Sequence, residues 1–452
     1  MRTLNRFGAV LALVCCLTAL AVAQEPGRES TEGRLLQILR EKGIISETEH
    51  DELKALEKQM REEQSIEGEL SDRISELVAI AEDASPTLAH RPGRGFSWTT
   101  PDKNFRLQIG GRIQVRFTHN IWEDNPSTDN ENRPDFDVTR ARLDFSGNAF
   151  QTYIKYKFQF DIAGDEADTN VTFPGGGGSS VFASRNRLTE LKDAFIDFDK
   201  WPAFKVRFGQ FKVPYSRQFL TSSGSMELVD RSPIDSAFSR GRDSGLMVFG
   251  DVGTEENSRL FEYYIGIFDG EGENLTNNDK GLLYAARIAV NPFGEVAYSQ
   301  SDLKHTEDFR LALGLNAWLH QDDNHASQED DWSIGADLAM FWQSFFLTIE
   351  VHYRENGTST ANDVELFGWS AQAGYFILPA ELEISLRYAE IDWDNNGTGT
   401  SAQREYLLGL GYFWEGHAMK LQADFGRVEN HRGNTDLNTD EWRFRLQFQL
   451  IF

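Results

Sequence analysis

From Phe105 to the last residue of the chain, apolar and polar side chains alternate with a period of two. At the start, Phe105, Leu107, Ile109, Ile113, Val115 and Phe117 alternate with Arg106, Gln108, Gly110, Arg112, Gln114 and Arg116. At the end, Trp442, Phe444, Leu446, Phe448, Leu450 and Phe452 alternate with Arg443, Arg445, Gln447 and Gln449. A period of two assigns each set to one face of a strand. A soluble sandwich alternates in the same way, so the period alone does not choose the medium. Length and aromatic placement do choose it. The segments run to about ten residues with aromatic side chains near their ends, as strands do when they cross an apolar slab between interfacial girdles.

The connections alternate long and short. Long ones fall near 120–135, 164–187, 213–241, 269–280, 321–331, 355–363, 393–403 and 430–439, and short ones include 149–153, 199–203, 343–345, 378–381 and 415–418. Eight long loops on one side imply about 16 antiparallel strands with both barrel ends on the short-turn side. The connection from Asn291 to Asp308 contains an alternating stretch, 296–303. It is assigned to a long periplasmic turn, because a further strand would make the count odd, which single-chain bacterial barrels avoid. The expected fold is an all-β transmembrane barrel over 104–452, preceded by an N-terminal α-helical coiled-coil segment.

Ahead of the barrel, Arg2 and Arg6, an apolar run from Phe7 to Leu20, and Ala21-Val22-Ala23 read as a secretory signal over 1–23. That run is too short to span a bilayer as a helix. Cys15 and Cys16 both lie inside it, and neither follows the small residue that lipoprotein processing favours, so the mature chain is expected to carry no disulfide and no thiolate-bound metal. Residues 24–85 read as helix, turn and coiled coil. Gly43 stops a first helix, Ser46-Glu47-Thr48-Glu49 has capping-box form, and Leu53, Leu56, Met60, Leu70, Ile74, Leu77 and Ala81 share a heptad seam that Glu63 and Glu67 interrupt. Such a coil would oligomerise barrels in the periplasm, and at 1.5 Å per residue it would reach about 55 Å, enough to touch the cell wall. Pro86, Pro92, Gly93, Gly95 and Pro101 mark 86–103 as a linker.

A net charge of -26 argues against nucleic acid as partner. The charge is uneven. From Pro101 to Gly245 there are 20 basic and 20 acidic residues, against 13 and 34 from Leu246 to Phe452. In a barrel the residues that alternate with the outward apolar set point into water. On the first strands these are Arg112, Arg116, Arg140 and Arg142, followed by Lys155, Lys157, Lys205 and Arg207, while Arg443 and Arg445 stand on the last strand, adjacent to the first on closure. A wall rich in guanidinium and ammonium groups would favour oxyanions. The competing reading is that these bases balance the inward acids Asp144, Asp161, Asp193 and Asp197. The longest connection, 213–241, carries Arg217, Arg231 and Arg240, with Arg242 just beyond; folded inward, it would bring them to the basic wall.

Several motifs in order carry a family resemblance: Leu107-Gln108-Ile109-Gly110-Gly111-Arg112, Thr139-Arg140-Ala141-Arg142-Leu143 with Gly147, Phe208-Gly209-Gln210-Phe211-Lys212-Val213-Pro214, and the terminal Phe452. At these residues the chain resembles the phosphate-selective porins of the O and P family from Phe105 onward. The resemblance implies an outer-membrane pore for small hydrophilic solutes, anion-preferring, with phosphate or related oxyanions as cargo. It also implies a constriction built on an Arg after the Gly-Gly pair, two consecutive Arg on the second strand and a Lys after the Phe-Gly-x-Phe motif. Arg112 and Arg140 match; Thr139 stands where the other Arg would be, and Phe219 where the Lys would be. Arg142 and Arg217 are near enough in sequence to restore that charge. The alternatives are a general diffusion porin and a barrel whose coil tethers the outer membrane.

Catalysis is not expected. The chain has no G-x-S-x-G motif, its nine His are scattered, and Gly175 to Gly178 lead into Ser179-Ser180 rather than the Lys and Ser or Thr of a phosphate-binding loop. Asp322-Asp323-Asn324-His325 and Asp269-Gly270-Glu271-Gly272-Glu273 lack EF-hand spacing, so no metal and no cofactor are expected. The expected partners are outer-membrane lipid, small anions, further copies of the chain in a trimer, and the barrel-assembly machinery that reads a terminal aromatic.

Overall fold

The computed structural model describes residues 31–123, 134–163, 190–277, 280–321, 331–356, 364–395, 399–431 and 439–452. The expected signal at 1–23 and the loop at 322–325 lie outside the described residues. The chain divides into two units, 1–85 and 86–452.

The first unit holds α1 (Thr31–Glu41) and α2 (Glu47–Ala84). Gly43, at φ 65°, takes the left-handed conformation that ends a helix. The capping box forms: the Ser46 N–H donates to Glu49 Oε2 at 2.9 Å and the Glu49 N–H donates to Ser46 Oγ at 3.3 Å. On α2 the seam residues Leu56, Met60 and Ile74 are 44%, 37% and 52% exposed, so this chain alone does not cover them. No described helix is long and apolar enough to cross a membrane.

The second unit contains β1 (Thr87–Arg91), β2 (Gly95–Thr99), β3 (Arg106–Trp122), β4 (Pro134–Ala149), β5 (Gln151–Asp161), β6 (Glu190–Trp201), β7 (Phe204–Lys212) and β8 (Arg242–Val252). It continues with β9 (Phe261–Phe268), β10 (Leu283–Val290), β11 (Arg310–His320), β12 (Asp331–Trp342), β13 (Phe345–Asn356), β14 (Val364–Leu378), β15 (Leu382–Asn395), β16 (Gly399–Phe413), β17 (Met419–His431) and β18 (Thr439–Ile451). Between β7 and β8 lie two short helices, α3 (Arg217–Leu220) and α4 (Pro233–Phe238).

Strands β3 to β18 pair antiparallel in sequence order, and β18 returns to β3, from Glu441 opposite Trp122 to Ile451 opposite Arg112. This is the expected 16-strand barrel. Closure pairs each barrel strand on both sides over most of its length and so satisfies the backbone within the wall, which a bilayer demands. The alternating stretch 296–303 is not a strand and belongs to the connection between β10 and β11. The linker expected at 86–103 is instead largely a β-hairpin, β1 with β2. Its second strand pairs with β3 from Phe96 opposite Ile109 to Thr99 opposite Arg106. The reason is an edge left open: β18 ends opposite Arg112, so the first residues of β3 need another partner. Gly95 makes the approach possible, since at φ 74° a Cβ there would lie 2.0 Å from the Ile109 carbonyl oxygen.

Closure also explains a motif. The Gly111 N–H donates to the Phe452 carbonyl at 2.7 Å and the Phe452 N–H donates back to Gly111 at 2.9 Å. A Cβ on Gly111 would stand 2.6 Å from the Phe452 ring. The glycine before Arg112 is the seat of the C-terminal aromatic.

Outward residues form the apolar band: Phe208, Ile265, Leu315 and Leu386 are 66%, 61%, 58% and 60% exposed. Inside, the two halves of the barrel differ. Most inward side chains of β10 to β18 are buried, whereas Arg142, Asp144, Lys155, Lys157, Lys205 and Arg207, on β4, β5 and β7, keep solvent contact. An apolar cluster of Tyr215, Ile234 and Phe238 with Phe211, Met247, Trp318, Leu366 and Ile391 fills part of the lumen, so the inward side chains left in contact with solvent are those of β4, β5 and the first half of β7.

Candidate functional site

The connection Val213–Gly241 creates that asymmetry. Its neck is closed by the Val213 N–H donating to the Gly241 carbonyl at 3.0 Å, and the loop then folds into the lumen, as the sequence suggested. Its base is anchored on β10, β12 and β13. Arg287 donates to the Tyr215 carbonyl at 2.9 Å and to Asp337, both side chains being fully buried, and Glu350 accepts from the Gln218 N–H at 2.6 Å. Such buried pairs are held by geometry rather than by net Coulomb gain, which makes the base a fixed post. The ring of Phe238 on α4 stacks on His352, while the Phe238 carbonyl accepts from the Trp318 indole at 2.8 Å.

From this base the tip, Ser222 to Asp230, crosses to the opposite wall. Arg112 donates to Ser222 Oγ at 3.4 Å, Arg142 to Ser223 Oγ at 3.3 Å, and Gln449 to the Gly224 carbonyl at 2.8 Å. A Cβ on Gly224 would lie 2.7 Å from Arg112 Nη1, so a larger residue there would push the guanidinium aside. Asp230 lies 3.1 Å from Arg116 and 3.5 Å from Arg140. Burial works against the Asp230 charge, but the guanidiniums of Arg116 and Arg140, with Arg445 and Arg231 beyond them, outweigh it and hold this carboxyl far below the usual range.

The tip is also held from behind. Lys420 and Gln422 of β17 donate to the Met226 carbonyl at 2.6 Å and 3.0 Å, and Asp424 accepts from the Val229 N–H at 3.2 Å. The β10–β11 connection rises into the barrel beneath it. There Gln300 donates its N–H to the Ser225 carbonyl at 2.9 Å and accepts the Glu227 N–H at 2.9 Å. The constriction therefore has two parts, an inward loop and an inward turn.

The eleven bases expected in the lumen can now be placed. Arg116 and Arg140 share Asp230, Arg142 meets Asp161 at 2.6 Å, Lys157 meets Asp193 at 2.7 Å, Arg207 meets Asp197 at 2.7 Å and Arg445 meets Asp424 at 2.8 Å. Lys155 pairs with Asp199, Lys205 with Asp251 and Arg443 with Glu441. Arg112 and Arg217 have no carboxylate partner among the described residues. Arg217 departs from the expectation that it meets the basic wall: it points the other way, donating to the Val296 and Ala297 carbonyls at 3.0 Å and 2.7 Å. Arg231 and Arg240 are likewise spent elsewhere, on the Thr221 and Gly270 carbonyls, and Arg242 pairs with Asp193 at 2.8 Å. The loop's short helices turn these side chains away from β3 and β4; its hydroxyls and Asp230 face those strands instead.

Thr139 and Phe219, the two departures from the phosphate-site motif, also have definite places. A β-bulge sets two residues of β4 against Val115, which puts Thr139 on the lumen side next to Arg140. Thr139 is buried, 3.3 Å from the Gln114 carbonyl and 3.4 Å from Gln447 Oε1. Phe219 lies under two cations, Lys212 at 5.0 Å and Arg231 at 5.4 Å from its ring centre.

Residues 107–452 match the family described as Phosphate-selective porin O and P. The chain belongs to that family. It is an outer-membrane porin, a channel rather than an enzyme. A protein of Aquifex aeolicus (strain VF5) described only as uncharacterized is 24% identical over 379 residues, which is 77% of this chain and 88% of that protein. Among solved structures, the outer membrane channel DcaP of Acinetobacter baumannii superimposes with TM-score 0.51 at 12% identity, covering 76% of this porin and 97% of DcaP. An anion-selective porin from Comamonas acidovorans gives 0.50 at 13%, covering 76% and 99%. At these identities the superpositions speak to fold alone.

Two parts of the porin's constriction were not legible in its sequence. Asp230 sits in a loop without periodicity, so nothing marked it as the counter-charge of Arg116 and Arg140. Gln300 lies in a turn that gives no sign of rising inward. Lys420, Gln422 and Glu383 could have been found, because they alternate with outward apolar residues on β17 and β15.

Proposed function

We propose that this porin is an anion-preferring pore whose cargo is small oxyanions, phosphate among them. The observation behind this is the state of Arg112. It stands with Arg116, Arg140 and Arg142 on β3 and β4, faces the Ser222 and Ser223 hydroxyls of the inward loop, and has no carboxylate partner among the described residues. A guanidinium beside hydroxyl donors suits an oxyanion, and its Nε is buried without a partner. The same reading takes α2 as a periplasmic coil that joins three barrels through its exposed seam, with Phe452 as the signal read during assembly. The second reading, a general diffusion pore, is favoured by the nine of eleven lumen bases that already have carboxylate partners, and by Thr139 in place of a second Arg.

Reversal potentials in a potassium chloride gradient test the choice. A unit charge about 8 Å from a passing ion is worth on the order of 1 kcal/mol in a wet lumen, or about fivefold in relative permeability. Arg112→Ala should therefore shift selectivity toward cations by about that factor while the conductance changes less. Phosphate should block chloride current in the wild type and fail to do so in the variant. A cation-selective wild type would remove the anion reading and leave the porin.

A further inference from the structure

We propose that Glu227 and Glu383 hold one proton between them, that this proton latches the tip of the inward loop, and that its loss widens the passage. Glu227 is on the loop and Glu383 on β15; they are 3% and 1% exposed. One oxygen of each is satisfied: Glu227 Oε2 accepts from Gln372 Nε2 at 2.6 Å and Glu383 Oε2 from Ser301 Oγ at 2.6 Å. The other oxygen of each, Oε1, is buried without a donor. Both Oε1 atoms converge over Gly374 of β14, where a Cβ would stand 1.4 Å from Glu227 Oε1 and 3.0 Å from Glu383 Oε1. Two acceptors side by side with no donor between them lack a positive partner.

The surrounding charges fix its size. Lys420 of β17 is fully buried and donates to the Met226 carbonyl, with His417 of the β16–β17 turn at 3.3 Å. Arg387 of β15 is bound to Glu405 of β16, Asp424 of β17 to Arg445 of β18, and Asp302 of the inward turn accepts from Thr306 and the Ser344 N–H. Arg112 of β3 is turned to Ser222. Lys420 is thus the basic group left to face two carboxyls, and while its amine is protonated a single shared proton makes the set neutral. Burial, and then the charge of Glu383, raise the Glu227 carboxyl well above its ordinary value. A raised carboxyl supports the latched state fully below the ordinary carboxyl pKa and loses that support as pH rises through the raised one. Charging both groups sets like charges against each other in a site buried from bulk solvent. The tip lies between Ser222, at Arg112, and Asp230, at Arg116 and Arg140, so its release frees the loop from β3 and β4.

Single-channel recording of the full-length protein in planar bilayers from pH 5 to pH 9 tests the latch. In the wild type the ratio of wide to narrow dwell times should rise with pH, by about tenfold per unit above the raised pKa. Glu227→Gln, a neutral isostere, should stay narrow across the range, and Glu383→Gln should do the same. Heat-dependent gel mobility checks that each variant is folded, and either variant alone suffices for the comparison. Wild-type dwell times that do not change with pH overturn the proposal, as does a pH response that survives in the folded variants. Calcium at pH 9 restoring the narrow state in the wild type would show a metal ion in place of the proton, and would also overturn it.

Discussion

Asp230 sets the charge balance where the inward loop meets the wall of β3 and β4. It is 30% exposed on its side chain and compensates two guanidiniums that are 11% and 6% exposed, so its removal leaves positive charge facing the passage. Asp230→Asn should raise anion preference, opposite in sign to Arg112→Ala and of similar size, about fivefold by reversal potential. The sign of the pH dependence follows from its lowered pKa. A lowered carboxyl keeps its charge above the ordinary value and loses it only when pH falls through the lowered one. The difference between wild type and Asp230→Asn should therefore persist at pH 4, where exposed carboxylates have begun to protonate. An Asn variant indistinguishable from wild type at pH 4 would place the Asp230 proton much higher than the guanidiniums around it allow. Alternation along the strands is enough to mark Arg112, Arg140 and Arg445 as inward residues. Asp230 was not legible, because a loop position has no face until the loop is folded.

Among the elements, β3 bears the most closure. Its first residues pair with β2, its remainder with β18, and at the handover Gly111 holds the Phe452 ring. A side chain at Gly111 has to displace that ring, at a cost of about 1–3 kcal/mol, since overpacking a close contact shifts what surrounds it. Gly111→Val should thus reduce the fraction of heat-modifiable, folded barrel, and removal of Phe452 should do the same, although Gly111→Val leaves the terminal aromatic in place for recognition. If Gly111→Val assembles normally, the ring's seat is not what the aromatic is for. The strand count and the loop order could be read from periodicity, and the standing of 296–303 as a turn from the even count that a closed barrel keeps, against its own alternation. The hairpin of β1 and β2 could not, because Pro86, Pro92, Gly93 and Gly95 look like a linker and its pairing depends on where β18 stops. Composition marks turns well, and it says nothing of an open edge elsewhere in the sheet.

For the whole barrel, the charge asymmetry of the sequence and the asymmetry of the lumen coincide. The balanced half, to Gly245, supplies β3 to β7 and the inward loop, and its inward Asp144, Lys157 and Arg207 keep solvent contact. The acidic half supplies strands whose inward faces are covered by that loop and the inward turn, with Arg287, Arg387, Lys420 and Arg445 spent on carboxylates and backbone carbonyls. Solutes should accordingly pass along β4, β5 and the first half of β7 rather than down the barrel axis. Both native thiols lie in the segment read as a signal, so cysteine placed in the mature chain is a clean probe. Lys157, 32% exposed on its side chain, marks the open wall; Ser385 of β15, 3% exposed, lies under the loop. A negatively charged thiol reagent added to Lys157→Cys should bond there, narrow the passage and cut the single-channel current by about half or more, since it adds both bulk and charge where the field is focused. The same reagent should leave Ser385→Cys unchanged at a pH where the loop is latched, because a thiol with no solvent contact does not react. Equal modification of the two would mean that the loop does not divide the lumen, and that the passage is central.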